Sequence, residues 1–199
     1  CMYLIGLYMG STRGTIDREY YGKILEELKQ LPGKVEKLFD EEERIAAIAK
    51  RYHRKEQVFF IGRGLDSGVS YEGSLKLKEI SYINSFAIAA GELKHGTIAL
   101  MEEDTLVFAL ATQDFLYEKM VSNVEEIKAR GARVIGVAKE GRTDIEKVAD
   151  EVIYIPQCMD GVSPVLAVIP LQMFAYYVAK ERGCNIDKPK NLAKSVTVE

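Results

Sequence analysis

Between Val58 and Pro156, five short apolar runs, VFFIG, SFAIAA, DTLVFAL, RVIGVA and EVIYIP, alternate with longer polar or amphipathic segments. The runs are too short to be core helices, and they carry apolar side chains at consecutive rather than alternate positions, so both faces of each need cover. Strands buried on both faces are characteristic of parallel sheets, whose neighbours must be joined by crossovers of a dozen or more residues. The intervening helical stretches, of which GLDSGVSYEGSLKLKEISYI is the first, supply those crossovers. The expected fold is therefore α/β, a three-layer αβα sandwich around a five-stranded parallel sheet.

What flanks this alternation has a different texture. Asp17 is placed to cap a helix that runs through REYYGKILEELKQL and stops at Pro32-Gly33. A second helix, DEEERIAAIAKRYHRK, has acids in its first turn and bases in its last, the order the helix dipole favours. His53, among Arg51, Arg54 and Lys55, reads as a solvated helix end. Ahead of both, MYLIGLYMGS reads as the end of an apolar helix from a longer chain, with Cys1 at its edge rather than as an N-terminal nucleophile. The last helix opens at Ser163-Pro164 and closes near Gly183; beyond it CNIDKPKNLAKSVTVE lacks helical periodicity and ends in alternation, so an extended strap is expected. The chain thus divides into lead-in helices over 1–57, an α/β body over 58–184 and a tail over 185–199.

Composition narrows the function classes. A net charge of −3 with no basic block argues against nucleic acid as a partner. The most apolar stretch, VSPVLAVIPLQMFAYYVAKERG, holds two prolines and a glutamine and ends in charges, so it reads as a buried helix and no membrane span is expected. Cys1, Cys158 and Cys184 are odd in number and widely spaced, which fits a reducing cytoplasm and neither a disulfide framework nor a zinc site. With two histidines and no ligand spacing around either, no metal or other cofactor is expected.

Chemistry-bearing side chains concentrate in one stretch. Glu72, Lys76 and Glu79 are spaced four and three apart and rise from one helical stripe. Spacing alone describes an exposed ion pair. The apolar Leu75, Leu77, Ile80 and Ile83 around it, and the open end of the sheet nearby, describe instead a carboxylate in a low-dielectric cleft, able to abstract a proton. His95, in GELKHG, is either a turn histidine or, beside Glu92 and Lys94, a proton shuttle. Parallel sheets bind ligands beyond the carboxyl ends of their strands, at the switch point. The loops expected there are GRGLDSG and ATQD; Asp66 and Asp114 in them would repel a phosphate, and Ser67 and Thr112 offer two hydroxyls, so the pocket looks poorly built for an anion.

GRGLDSGVSYEGSLKLKEISYI, AAGELKHGTIAL and DKPKNLAKSVTVE together resemble the C-terminal sugar isomerase (SIS) domain of the glutamine–fructose-6-phosphate amidotransferases, strongly from about Val58 to Glu199. The resemblance implies a doubly wound, flavodoxin-like SIS fold. It also implies a parent chain with a glutaminase domain and a first SIS domain, neither present here, and association as a homodimer. Fructose-6-phosphate and glucosamine-6-phosphate would be substrate and product. Carried onto matching positions, Lys194 would form an imine with the open-chain ketose and Ala193 would contact it. His95 would assist ring opening, reaching the neighbouring subunit's site, while Glu79 would move the proton between carbons, supported by Lys76. The sugar-phosphate loops of that family lie mainly in the first SIS domain, so little activity is expected of this chain alone. The competing reading is a non-catalytic phosphosugar-binding SIS module, which would need no imine-forming lysine.

Overall fold

The computed structural model describes residues 1–191. Its centre is a five-stranded, wholly parallel sheet of β1 (Gln57–Gly62), β2 (Asn84–Ala89), β3 (Leu106–Ala111), β4 (Arg133–Lys139) and β5 (Glu151–Ile155), in the order β2-β1-β3-β4-β5. These are the five apolar runs, and the doubly wound α/β sandwich is as expected. The order reverses between β1 and β3, so the switch point lies where their two carboxyl ends diverge.

Helices cover both faces. α3 (Glu42–Tyr52), α4 (Leu65–Ser81) and α6 (Ser163–Glu181) share one core with Val58 and Phe60 of β1 and Phe108 of β3. α5 (Tyr117–Lys128) lies on the other face with Phe59 and Ile61, joined by the 3₁₀ turns Ala90–His95 and Thr143–Lys147. Successive strand residues thus feed opposite cores, as two-sided burial requires. Phe108 shows the packing: its ring centroid lies 5.1 Å from that of Phe60 and 4.6 Å from that of Phe174 on α6. Burying each such ring contributes about 1.5–3 kcal/mol.

Two glycines let α4 sit against its neighbours. A Cβ on Gly62 would stand 2.5 Å from the backbone carbonyl of Asp66, so only glycine allows β1 to turn directly into α4. A Cβ on Gly73 would stand 2.6 Å from Leu171 Cδ1 and 3.1 Å from Phe60 Cε1, so glycine sets the close approach of α4 to both α6 and β1.

The lead-in differs from expectation at one point. α1 (Met2–Thr12) is helical, and Asp17 caps α2 by accepting from Tyr20 N at 2.7 Å, but α2 runs Arg18–Leu38, straight through Pro32. Proline removes one helical hydrogen bond, yet Pro32 faces solvent, while Leu31 and Val35 on either side pack against the core and hold the helix on course. Among the described residues no helix is long and apolar enough to cross a membrane.

Candidate active site

α4 has an unusual end. Its capping residue Tyr82 adopts φ 61°, ψ 16°, a left-handed conformation that costs a non-glycine residue about 1 kcal/mol. The surroundings hold it there. The Tyr82 hydroxyl accepts from the backbone N–H of Lys190 at 2.8 Å, and the Lys190 ammonium lies 4.5 Å from the ring centroid. One turn earlier, Lys76 Nζ donates to Glu79 Oε2 at 2.6 Å and lies 3.7 Å from Glu72 Oε1. The hydrogen bond from Lys76 to Glu79 holds the ammonium's pKa above its usual value. The three side chains are between a quarter and two-fifths exposed, so the stripe is neither sealed in the core nor freely solvated.

His95 stands apart from this group. Its side chain is 76% exposed, and the charged neighbour in reach is Glu92, with Nε2 3.9 Å from Oε2. Among the described residues it makes no hydrogen bond or ion pair to Lys76 or Glu79. Lys94 beside it pairs with Glu126 of α5 at 2.7 Å and ties the turn to that helix. Lys194 and Ala193 lie outside the described residues.

Beyond β3 and β4 the polar groups behave differently from the sequence reading. Asp66 does not face a ligand. It is buried, accepting from Thr112 N at 2.7 Å and from the Thr112 hydroxyl at 2.5 Å. Burial pushes its carboxyl pKa up despite those bonds. The Ser163 hydroxyl lies 2.9 Å from that of Thr112 and accepts from Gln113 Nε2 at 2.7 Å. Asp114 does not stand as a free negative charge either: Lys139 Nζ donates to it at 2.8 Å, Arg142 Nη2 at 2.7 Å, and Lys139 also donates to Asp160 at 2.6 Å. Burial alone would raise Asp114, but the bonds from Lys139 and Arg142 outweigh it and hold the carboxyl below its usual range. This edge is short of anion donors because its donors are committed to its own carboxylates, not because bare carboxylates repel an anion. The sequence reading missed Lys139, Asp160 and Ser163. A lysine ending the apolar run RVIGVAK was the available signal, because a buried lysine needs an acid partner.

Other clefts fit the chemistry less well. The most apolar one, about 390 Å³, is lined by Met2, Tyr3, Leu7 and Ile24 of α1 and α2, and it carries no ionisable group besides phenols. Among the described residues no group of three metal-ligating side chains comes together.

Comparison with known proteins places these features in context. Residues 51–182 match the SIS domain family. Over 198 residues, all of this chain, the sequence is 56% identical to an isomerizing glutamine–fructose-6-phosphate aminotransferase of Caldanaerobacter subterraneus subsp. tengcongensis, and it covers 33% of that protein. It is 52% identical, with the same coverage of both, to the Clostridium tetani protein of that name. The chain therefore spans about a third of the length of the curated relatives it matches. Among solved structures, the C-terminal domain of glucosamine-fructose-6-phosphate aminotransferase from Francisella tularensis superposes with a TM-score of 0.87 at 32% identity, over 94% of this chain and 52% of that one.

Proposed function

The chain belongs to the SIS domain family, and on that premise we propose that it is the isomerase domain of a glutamine–fructose-6-phosphate aminotransferase, one part of a longer polypeptide. In this reading the substrate is open-chain fructose-6-phosphate and the product glucosamine-6-phosphate. The parent chain adds a glutaminase domain and a first SIS domain, and two copies associate so that His95 serves a neighbouring site. Its setting is the cytoplasm, and this chain alone has little activity.

The observation that carries the proposal is the meeting of the Lys76–Glu79 pair with the start of the tail at one helix end. Tyr82, three residues past Glu79, accepts the N–H of Lys190, and Lys194 is four residues further on. Four residues reach at most about 14 Å, so the tether keeps the lysine within range of the Glu79 end of α4. The roles follow from the chemistry. A neutral Lys194 amine adds to the C2 carbonyl and loses water, forming an imine that withdraws electrons better than the ketone once protonated. Ammonia from the glutaminase domain of the parent chain then displaces the Lys194 amine from C2 by transimination, and the Glu79 carboxylate takes the proton from C1 and returns it to C2 while the O1 proton passes to nitrogen, which leaves an aldehyde at C1 and the free amine of glucosamine-6-phosphate at C2. Lys76, 2.6 Å from Glu79, holds that carboxylate in place. His95 assists opening of the sugar ring, and Ala193 contacts the substrate beside the nucleophile.

Borohydride reduction of the complete polypeptide in the presence of fructose-6-phosphate tests this reading. The expected result is a stable sugar adduct on Lys194, lost when residues 194–199 are removed while the body stays folded. Full turnover by the truncated protein, or an adduct on another lysine, would overturn it.

A further inference from the structure

On the α5 side of the sheet, across from α4, the carboxyl ends of β1 and β2 form a cavity of about 230 Å³. One wall is Arg63, the first residue past β1; the floor is Ala90-Gly91, just past β2; the other wall is the α5 stripe Lys119, Ser122, Asn123 and Glu126, with Lys94 at the rim. None of these groups belongs to the Lys76–Glu79 pair, and none enters the ion network beyond β3 and β4.

The arginine is held at one edge and open at the other. Arg63 Nε donates to Oδ1 of Asn123 at 2.9 Å, and Asn123 is 6% exposed, so a buried amide fixes the plane of the guanidinium. The Nη1 and Nη2 groups make no hydrogen bond to any described residue. They lie over Gly91, where a Cβ would stand 3.5 Å from Nη1 and 3.7 Å from Cζ and Nη2, so this turn backs the face of the guanidinium. Lys119 has no ion-pair partner among the described residues, whereas Lys94 is neutralised by Glu126 at 2.7 Å. Three cations against one carboxylate leave two positive charges in excess, converging on a space the size of a small phosphorylated molecule. A planar fork, held by its inner edge and presenting two parallel donors, matches the oxygens of a tetrahedral dianion. The Ser122 hydroxyl adds a neutral donor on the same wall.

We propose that this cavity is a second ligand site that binds a phosphate group, as free phosphate or as the phosphomonoester of a small metabolite, independently of sugar chemistry at Glu79. Titration of the chain with inorganic phosphate, glycerol 3-phosphate and glycerol, followed by amide ¹H–¹⁵N spectra, tests the assignment. Saturable shifts are expected at the Gly91, Ser122 and Asn123 amides with both phosphates and not with glycerol. Tighter binding of the ester identifies a phosphorylated metabolite, and equal binding a free anion. Arg63→Gln should weaken binding at least about tenfold, and Arg63→Lys, which keeps the charge and loses the fork, by a smaller factor. Lys119→Ala, an exposed position that leaves folding unaffected, should weaken it about threefold. Glu79→Gln should bind as the unmodified chain does, so loss of the isomerase reading would leave this site standing. Unchanged affinity in both Arg63→Gln and Lys119→Ala, shifts confined to other surfaces, or no saturation by about 20 mM phosphate would overturn the proposal.

Discussion

Two polar regions of the molecule handle charge in opposite ways. Beyond β3 and β4, Asp66, Thr112, Gln113, Ser163, Asp160, Lys139, Asp114 and Arg142 form one connected network in which each carboxylate has a donor. Elsewhere the groups are less committed: Lys76 and Glu79, at the end of α4 beside the start of β2, are a quarter to a third exposed, His95 is open to solvent, and beyond β1 the Arg63 fork is unspent. A polar group whose bonds are all internal has no capacity left for a ligand, and removing it costs stability. A polar group with bonds to spare contributes little to stability and is available for chemistry. On that distinction the first region holds the fold together and the second is left free to meet a ligand.

The comparison breaks most visibly at Glu79. In the complete polypeptide, Glu79→Gln should lower sugar turnover by about 10²–10⁴-fold, because an amide cannot accept the C1 proton, while the unfolding midpoint barely moves. If instead turnover survives and stability falls, Glu79 belongs with the structural network. Lys139→Met probes the other side. The lysine is fully buried between Asp114 and Asp160, and its loss leaves Asp114 with Arg142 and Asp160 with the Asp114 N–H as their remaining donors. The cost of breaking a buried pair is about 3–5 kcal/mol, and the low end applies here because both acids reach water. Urea denaturation reads this loss directly.

The sheet and its helical covering were legible because two-sided burial writes itself as consecutive apolar residues: VFFIG and DTLVFAL have no other economical fold. The Glu72–Lys76–Glu79 stripe was legible for a similar reason, since helical periodicity fixes which side chains share a face. Long-range pairing was not. Nothing in ATQD indicates that Thr112 turns its hydroxyl to Asp66, 46 positions away, or that Asp114 meets Lys139 and Arg142. Those contacts are set by which loops the crossovers bring together, a property of topology and not of local pattern. The same holds for Tyr82, which reads as an ordinary aromatic until Lys190 is found upon it. Pro32 shows the converse failure, a strong local signal overruled by Leu31 and Val35 packing on either side.

Thr112→Val tests the structural side more gently. It removes the hydroxyl donor to Asp66 and keeps the backbone one, leaving a buried carboxylate half satisfied, at a cost of about 1–3 kcal/mol. The pH dependence separates it from a packing effect. The folded pKa of Asp66 is already raised by burial, so its contribution to stability is full below the unfolded value and is lost as pH rises through the folded one. Asp114 has a lowered pKa, so its contribution is present above the unfolded value and is lost as pH falls through the folded one. Removing the hydroxyl should raise Asp66 further. The Thr112→Val deficit should therefore shrink as pH is lowered through the raised pKa of folded Asp66, whose protonated form no longer needs the bond, whereas the Lys139→Met deficit should persist to lower pH, until Asp114, with its lowered pKa, protonates.

The smallest effect, and the one that joins the two sides, is expected at Tyr82. Tyr82→Phe removes one hydrogen bond, to Lys190 N–H, and keeps the ring beneath the Lys190 ammonium, so the loss is about 0.5–1.5 kcal/mol and falls on the tail rather than the body. Global unfolding should be nearly unchanged. Amide exchange at Lys190 should quicken by about tenfold, and turnover of the complete polypeptide should drop a few-fold, since one broken bond frees the tether without removing the nucleophile. Tyr82→Gly relieves the left-handed backbone strain but loses both the hydrogen bond and the ring, so it should stabilise the end of α4 while slowing turnover more than Tyr82→Phe. Equal turnover in all three proteins would mean that the contact between Lys190 and Tyr82 has no part in bringing the tail to Glu79.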